Sequence, residues 1–248
     1  MQGLDWLTAR PVAHRGLHDA AHGVIENTPS AFAAAIAGNY AIECDLQITA
    51  DGEAMIAHDD TLDRLTLGTG RLDALTAAEI KRTAFKGTND RMITLGELCD
   101  LVAGRVTLVI EIKSRFDGDL RLAARAAAVL SAYRGPAALM SFDPAPIAAL
   151  RRTAPALTRG IVAERHYTPR DWPGLSAESR RALAYFFHAL RSRPQFVAYS
   201  VRDLTSVIPF VVRNVLRLPL LTWTVRTESD RARAARHADQ MIFEGFRP

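Results

Sequence analysis

Short apolar runs alternate with helix-period segments along the whole chain. That alternation restricts the fold more than any other feature. The apolar runs fall at 11–14, 40–48, 106–112, 137–141, 157–162, 196–199, 220–225 and 240–243, and helical patterns at 28–37, 94–102, 117–133, 144–152, 177–190, 203–216 and 228–236 separate them. Regular strand–helix alternation builds right-handed parallel units. Eight strands in 248 residues predict an α/β fold of the TIM-type (β/α)8 class, with nothing following the eighth strand. The competing arrangement is an open doubly wound sheet. Against it, no glycine-rich phosphate fingerprint follows any strand. No linker rich in Pro, Gly or Ser divides the chain, so residues 1–248 are expected to form one barrel domain. A short extra run at 54–57 lies inside a stretch, 51–92, that is too long for one βα connection. It predicts a small inserted subdomain after the second strand.

Composition removes several classes. Cys44 and Cys99 are the only cysteines, too few for a zinc ribbon or a disulfide framework. Of the 31 basic residues three are lysine (Lys81, Lys86, Lys113), and the arginines are scattered without an aromatic ladder between them. A nucleic-acid surface needs clustering, so the net charge of +4 reads as solvated faces with a weak attraction for anionic substrates or membrane surfaces. The N-terminus, Met1 to Trp6, lacks the basic region and apolar run of a targeting segment. The apolar stretch 207–221 is interrupted by Pro209, Arg213, Arg217 and Pro219, which excludes a bilayer span. The expectation is a cytoplasmic protein with no integral membrane segment and at most a weak peripheral contact through that stretch.

Polar residues then appear where strands should be apolar. In the second strand, Glu43 and Asp45 share one face while Ile42, Cys44 and Leu46 share the other. Two carboxylates inside a barrel repel each other and lose solvation. A hard divalent cation resolves both problems, because it prefers carboxylate oxygens. The third strand places Glu111 and Lys113 on one face at its C-terminal end, the catalytic end of such barrels. Glu111 is a candidate third metal ligand and Lys113 a point charge for a phosphate oxygen. The first strand ends in His14-Arg15-Gly16, with Arg15 suited to bidentate phosphate binding. A second histidine, His58, follows the run at 54–57. Two histidines, three carboxylates and two fixed cations suit in-line displacement at phosphorus. One histidine takes a proton from the nucleophile and the other gives one to the leaving oxygen, while a metal polarises the phosphoryl group.

These residues resemble the glycerophosphodiester phosphodiesterase family. The matching segments are His14-Arg15-Gly16, 26–32 (Glu-Asn-Thr-Pro-Ser-Ala-Phe), 43–52, 58–66, Thr94 to Leu98 and Glu111-Ile112-Lys113. Ser141-Phe142-Asp143 and the 221–225 strand match in the second half. The resemblance implies a TIM-type barrel with a small insertion after the second strand. It implies His14 and His58 as the acid/base pair and Glu43, Asp45 and Glu111 as ligands of one divalent cation, Mg2+ or Ca2+. Arg15 and Lys113 then grip the phosphate, Asn27 makes a polar contact near the metal or phosphate, and Trp223 forms an apolar wall beside the glycerol. The implied reaction is metal-dependent hydrolysis of a small-molecule glycerophosphodiester to glycerol 3-phosphate and an alcohol.

Two departures from the family pattern stand out. Glu244 occupies the place of an Asp after the eighth strand, and Arg226 the place of an Asn after Trp-Thr-Val. The loop at 163–175, with His166, Tyr167 and Trp172, is a candidate for reading the alcohol. His18 and His22 belong to the first βα loop near the mouth of the expected site. Asp59 either orients His58 or caps the surface. Cys44 reads as a small buried hydrophobe, and His188 and His237 as packing or surface residues. The nearest alternatives are a lysophospholipase D or a sphingomyelinase D-like enzyme on the same barrel. A non-catalytic phosphate-binding protein is the alternative from another class.

Overall fold

A computed structural model describes residues 3–248. Met1 and Gln2, the start of the segment read above for a targeting signal, lie outside the described residues. The strands are β1 (Val12–Ala13), β2 (Ala41–Ile48), β3 (Ala54–Ile56), β4 (Leu108–Ile112), β5 (Ala137–Ser141), β6 (Thr158–Ala163), β7 (Phe196–Ser200), β8 (Leu220–Val225) and β9 (Gln240–Phe243). Their order in the sheet is β1-β9-β8-β7-β6-β5-β4-β2-β3, and β1 also pairs with β2. β3 runs antiparallel to β2. The other eight follow one another in sequence order, as in the TIM-type (β/α)8 barrel. The accompanying helices are α1 (Asp5–Thr8), α2 (Pro29–Ala37), α3 (Ala77–Arg82), α4 (Leu95–Val102), α5 (Arg121–Ala132), α6 (Pro144–Thr153), α7 (Ala177–Ala184), α8 (Ala189–Ser192), α9 (Val207–Phe210) and α10 (Glu228–His237).

The chain divides into two compact units. One comprises Val12–Lys113 with Arg121–Ala137, and the other the N-terminal residues to Pro11, Ser114–Leu120 and Ala138–Pro248. In the first unit β2 is the central strand, parallel to β1 and to β4. α2 begins where the Thr28 side chain accepts the Ala31 N–H and Pro29 supplies a pre-set first-turn φ, and it ends at Gly38. It buries Phe32 completely, worth roughly 1.5–3 kcal/mol against exposure. α4 starts with a reciprocal capping box between Thr94 and Glu97. The 51–92 segment holds β3, a one-turn 3-10 helix at Leu72–Ala74 and α3. Leu62, Leu72, Ile80, Phe85 and Met92 pack there around Met55.

In the second unit β5 to β9 are joined by parallel pairings from β5 through β9. Two expected helices differ. The pattern at 177–190 splits into α7 and α8 because Phe186 adopts φ +58° and stacks its ring on Tyr199 at 6.3 Å. Aromatic packing there outweighs helix continuation. The pattern at 203–216 becomes a 3-10 turn at Val201–Asp203, then α9, then a π turn at Val211–Val215 in which Leu216 N–H donates to the Val211 carbonyl. Pro209 has no N–H and its ring excludes a preceding helical turn, so α9 starts at Val207 with the proline in its first turn. The helix expected over 117–133 starts later, at Arg121, after Gly118 at φ +83°. Among the described residues no helix is long and apolar enough to cross a membrane.

Candidate active site

The polar cluster is built within the first unit, from the C-terminal ends of β1 and β4 and the middle of β2, which continues to Ile48 to pair with β3. Alternation along β2 sends Glu43 and Asp45 to one face, and the parallel register sets Asp45 opposite Glu111 of β4. All three carboxylates are buried. Each offers an oxygen, and these oxygens lie within 4.8 Å of one another, about twice a metal–oxygen bond length. The Lys113 Nζ, two residues beyond Glu111, stands 2.8 Å from Asp45 Oδ1 and 2.8 Å from Glu111 Oε1.

The chain leaves β1 through a left-handed turn, Arg15 at φ +55° and Gly16 at φ +79°. A Cβ on Gly16 would stand 2.9 Å from the Ala31 carbonyl carbon, so only glycine fits. This turn aims the Arg15 N–H at Glu43 Oε2, 2.9 Å away. It also brings Arg15 Nε to 3.4 Å from Asp45 Oδ2 and His14 Nε2 to 3.9 Å from Glu43 Oε2. Asn27, also left-handed at φ +56°, donates its N–H to the Arg15 carbonyl at 2.9 Å and its Nδ2 to Asp45 Oδ2 at 2.9 Å. Asn27 therefore orients a carboxylate of the cluster.

His58 reaches the cluster because β3 folds back on β2. The Ala57 N–H donates to the Asp45 carbonyl at 3.0 Å, and Gln47 Nε2 to the His58 carbonyl at 2.9 Å. The His58 Nδ1 is 2.8 Å from Asp59 Oδ1, so Asp59 engages that ring nitrogen and orients the imidazole.

Two residues given no role from sequence complete the arrangement. Glu26 Oε1 accepts Arg15 NH1 at 2.6 Å. Arg64 joins Glu26 to Asp59, with NH2 2.7 Å from Glu26 Oε1 and Nε 2.5 Å from Asp59 Oδ2. Glu26 and Arg64 lie 38 positions apart, so no local pattern connects them.

The electrostatics fit a divalent cation. Burial, with the charges of Asp45 and Glu111, pushes the Glu43 carboxyl well above its ordinary range. Burial also raises Glu111, although Lys113 opposes it. Asp45 goes the other way: burial would raise it, but Lys113, His58 and Arg15 together hold it down. A buried carboxylate as unfavourable as Glu43 becomes a stable anion only with more positive charge nearby. An all-oxygen donor set of this kind suits Mg2+ or Ca2+ chemistry. Burial lowers the His58 pKa, opposed by Asp45, which favours the neutral imidazole.

Comparison with known proteins identifies the family. A model of the glycerophosphoryl diester phosphodiesterase family matches residues 14–245. The chain belongs to this family. The probable glycerophosphodiester phosphodiesterase 1 of Mycobacterium tuberculosis is 30% identical over 212 residues, 75% of each protein. A glycerophosphodiester phosphodiesterase of Caldanaerobacter subterraneus is 40% identical over 111 residues, which span 42% of this chain and 44% of that protein. Among solved structures, an Oleispira antarctica phosphodiesterase in complex with the product sn-glycerol-3-phosphate shares the fold with a TM-score of 0.75, at 19% identity over 96% of this chain and 94% of that one. The Thermotoga maritima glycerophosphodiester phosphodiesterase gives 0.70, at 22% identity over 94% of each chain. Family and fold together assign the chain to the glycerophosphodiester phosphodiesterases.

The second unit carries the remaining family-like positions. Trp223, half-buried near the C-terminal end of β8, donates Nε1 to the Ala198 carbonyl at 3.0 Å and meets the Phe142 ring edge-on at 5.4 Å. Phe142, Tyr167 and Trp172 pack together, and Trp172 Nε1 donates to Glu164 at 2.6 Å. The two departures from the family pattern, Arg226 and Glu244, form an ion pair with each other. Of the other histidines, His22 pairs with Asp19 on the surface, and His188 is half-buried with Nδ1 3.2 Å from Ser192 Oγ.

Proposed function

We propose that the chain hydrolyses glycerophosphodiesters to glycerol 3-phosphate and an alcohol, using one divalent cation, Mg2+ or Ca2+, and the histidine pair His14 and His58. The observation that carries this reading is the meeting of three buried carboxylates with two histidines, Arg15 and Lys113 at the strand ends of a phosphodiesterase-family barrel. Glu43, Asp45 and Glu111 are the ligand set. When bound, the cation supplies Lewis-acid polarisation of the phosphoryl group.

The chain's own residues do the rest. Arg15 and Lys113 bind non-bridging phosphate oxygens, and Asn27 keeps Asp45 in orientation. Neutral His58, with Nδ1 engaged by Asp59, accepts at Nε2 the proton of the attacking hydroxyl, from water or from the substrate's own glycerol. With water as nucleophile the new O–P bond forms as the P–O bond to the alcohol breaks and glycerol 3-phosphate results directly; with the glycerol hydroxyl the same exchange gives a cyclic phosphate, which water then opens to glycerol 3-phosphate. His14 delivers a proton to the departing oxygen. Trp223 is proposed as an apolar wall beside the glycerol, and the 163–175 loop as the reader of the alcohol. The reading treats the chain as one barrel domain in the cytoplasm.

The test is glycerol 3-phosphate release from glycerophosphocholine with Mg2+, with Ca2+ and with a chelator, beside His14→Ala and His58→Ala. Metal-dependent release that both variants abolish supports the reading. No release from glycerophosphocholine, with choline released from lysophosphatidylcholine, transfers the substrate to the lysophospholipase D class.

A further inference from the structure

We propose that the outer surface made by the β6–β7 and β7–β8 connections is a docking face for an anionic lipid bilayer. Large apolar side chains with high exposure concentrate there. Leu190 is 84% exposed, Val207 73% and Phe187 72%, and Tyr185, Phe210, Val215 and Leu216 are also more than half exposed. The inward positions of α9 and its π turn are already supplied by the buried Pro209 and Val212. Val207, Phe210 and Val215 therefore sit where a solvated helix carries polar residues. An apolar outward face of this size marks an interaction site.

Register relates the two connections. β7 and β8 are parallel neighbours with Val197 opposite Leu220, so the segments that lead into them, 190–193 and 215–217, belong to consecutive connections on the N-terminal side of the sheet. Leu190, Arg191 and Arg193 in the first and Val215, Leu216 and Arg217 in the second are all exposed.

Charge selects the occupant. Residues 177–217 contain the arginines 180, 181, 191, 193, 202, 213 and 217 against two acids, Glu178 and Asp203; Arg213 is paired with Asp239 and Arg202 follows the opposite end of β7, which leaves Arg191, Arg193 and Arg217 as the cations of this edge. A second copy of the chain in a two-fold dimer would set this cationic face against itself. An anionic bilayer provides both complements, an apolar interior for Phe187, Leu190 and Phe210 and acidic headgroups for the arginines. Segments 190–193 and 215–217 precede the N-terminal ends of β7 and β8, opposite the strand ends that carry Ser200 and Trp223, whereas Val207 lies seven residues past Ser200. Docking through the first two segments leaves that opposite end uncovered.

Vesicle co-sedimentation tests the proposal independently of any catalytic reading. The full chain is mixed with pure phosphatidylcholine vesicles and with vesicles containing phosphatidylglycerol, at low and high NaCl. Two variants accompany it, Phe187→Ser/Leu190→Ser/Phe210→Ser and Arg191→Gln/Arg193→Gln/Arg217→Gln, each with its thermal midpoint measured. The expected result is sedimentation with phosphatidylglycerol vesicles only, weakened about tenfold or more by high salt and by either variant, with midpoints unchanged. Three results overturn it: no sedimentation of the wild type with anionic vesicles, sedimentation of both folded variants equal to the wild type, or a wild-type dimer that the apolar variant converts to monomer without any vesicle binding.

Discussion

Arg64 is the residue whose loss tests the site's architecture most sharply. Its guanidinium faces two carboxylates, Glu26 at 2.7 and 3.2 Å and Asp59 at 2.5 and 3.2 Å. Through Glu26 it holds Arg15, and through Asp59 it holds His58. The Arg64 side chain is 46% exposed. Solvent therefore screens each pair to about 0.5–1 kcal/mol, and Arg64→Leu should cost about 1–2 kcal/mol of stability. Activity should suffer more. Glu26 and Asp59 each touch a proposed site residue, and removing such a partner typically costs about 10–100-fold, or about 1.4–2.7 kcal/mol of transition-state stabilisation; Arg64 braces both partners, so its loss is expected in the same range. The loss should divide between the two parameters: kcat falls as His58 loses its fixed orientation, and KM rises as Arg15 loses its anchored fork. Arg64→Lys should recover part of both, because an ammonium keeps the charge but cannot bridge two carboxylates in a bidentate fashion. Steady-state kinetics on glycerophosphocholine with circular dichroism as the folding control measures this. A folded Arg64→Leu variant with kcat/KM within about twofold of wild type would refute the reasoning, since the expected loss is about 10–100-fold.

Other expectations follow from the same geometry. Burial depresses the His58 pKa below 6.5. The base is neutral above that pKa and protonated below it, so kcat/KM should fall on acidification with a limb below pH 6.5; a limb above 7 would contradict the assignment. Gly16→Ala forces a Cβ to 2.9 Å from the Ala31 carbonyl carbon at φ +79°, and should cost about 1–3 kcal/mol in a denaturant melt together with most of the activity. Saturating Mg2+ or Ca2+ at about 100 times Kd should stabilise the native state by about 2.7 kcal/mol, seen as a rise in thermal midpoint of about 5–10 °C that Glu43→Gln removes.

The parts legible in the sequence are those set by short-range periodicity. Strand alternation alone placed Glu43 and Asp45 on one face, and the observed register then sets Asp45 opposite Glu111. The patterns at 28–37 and 94–102 were legible as helices, and the threonines that open them prove to be caps whose hydroxyls satisfy the first N–H groups. What sequence did not show depends on distant partners. Glu26 and Arg64 acquire their roles only when β3 returns along β2. The ion pair between Arg226 and Glu244 joins two departures that looked independent. The break at Phe186 and the late helix start at Val207, ahead of Pro209, are not visible in the sequence because the 3.6-residue pattern persists through both. Stacking on Tyr199 explains the first and the missing proline N–H the second.

Calorimetric titration of the purified chain with Mg2+ or Ca2+, beside Glu43→Gln, Asp45→Asn and Glu111→Gln, addresses the central claim directly. One cation bound per chain by the wild type, with binding lost or weakened at least about tenfold in every variant, is the result this account expects. One cation bound with unchanged affinity in all three variants would contradict it, because the metal would then sit elsewhere and the buried carboxylates would not be its ligands.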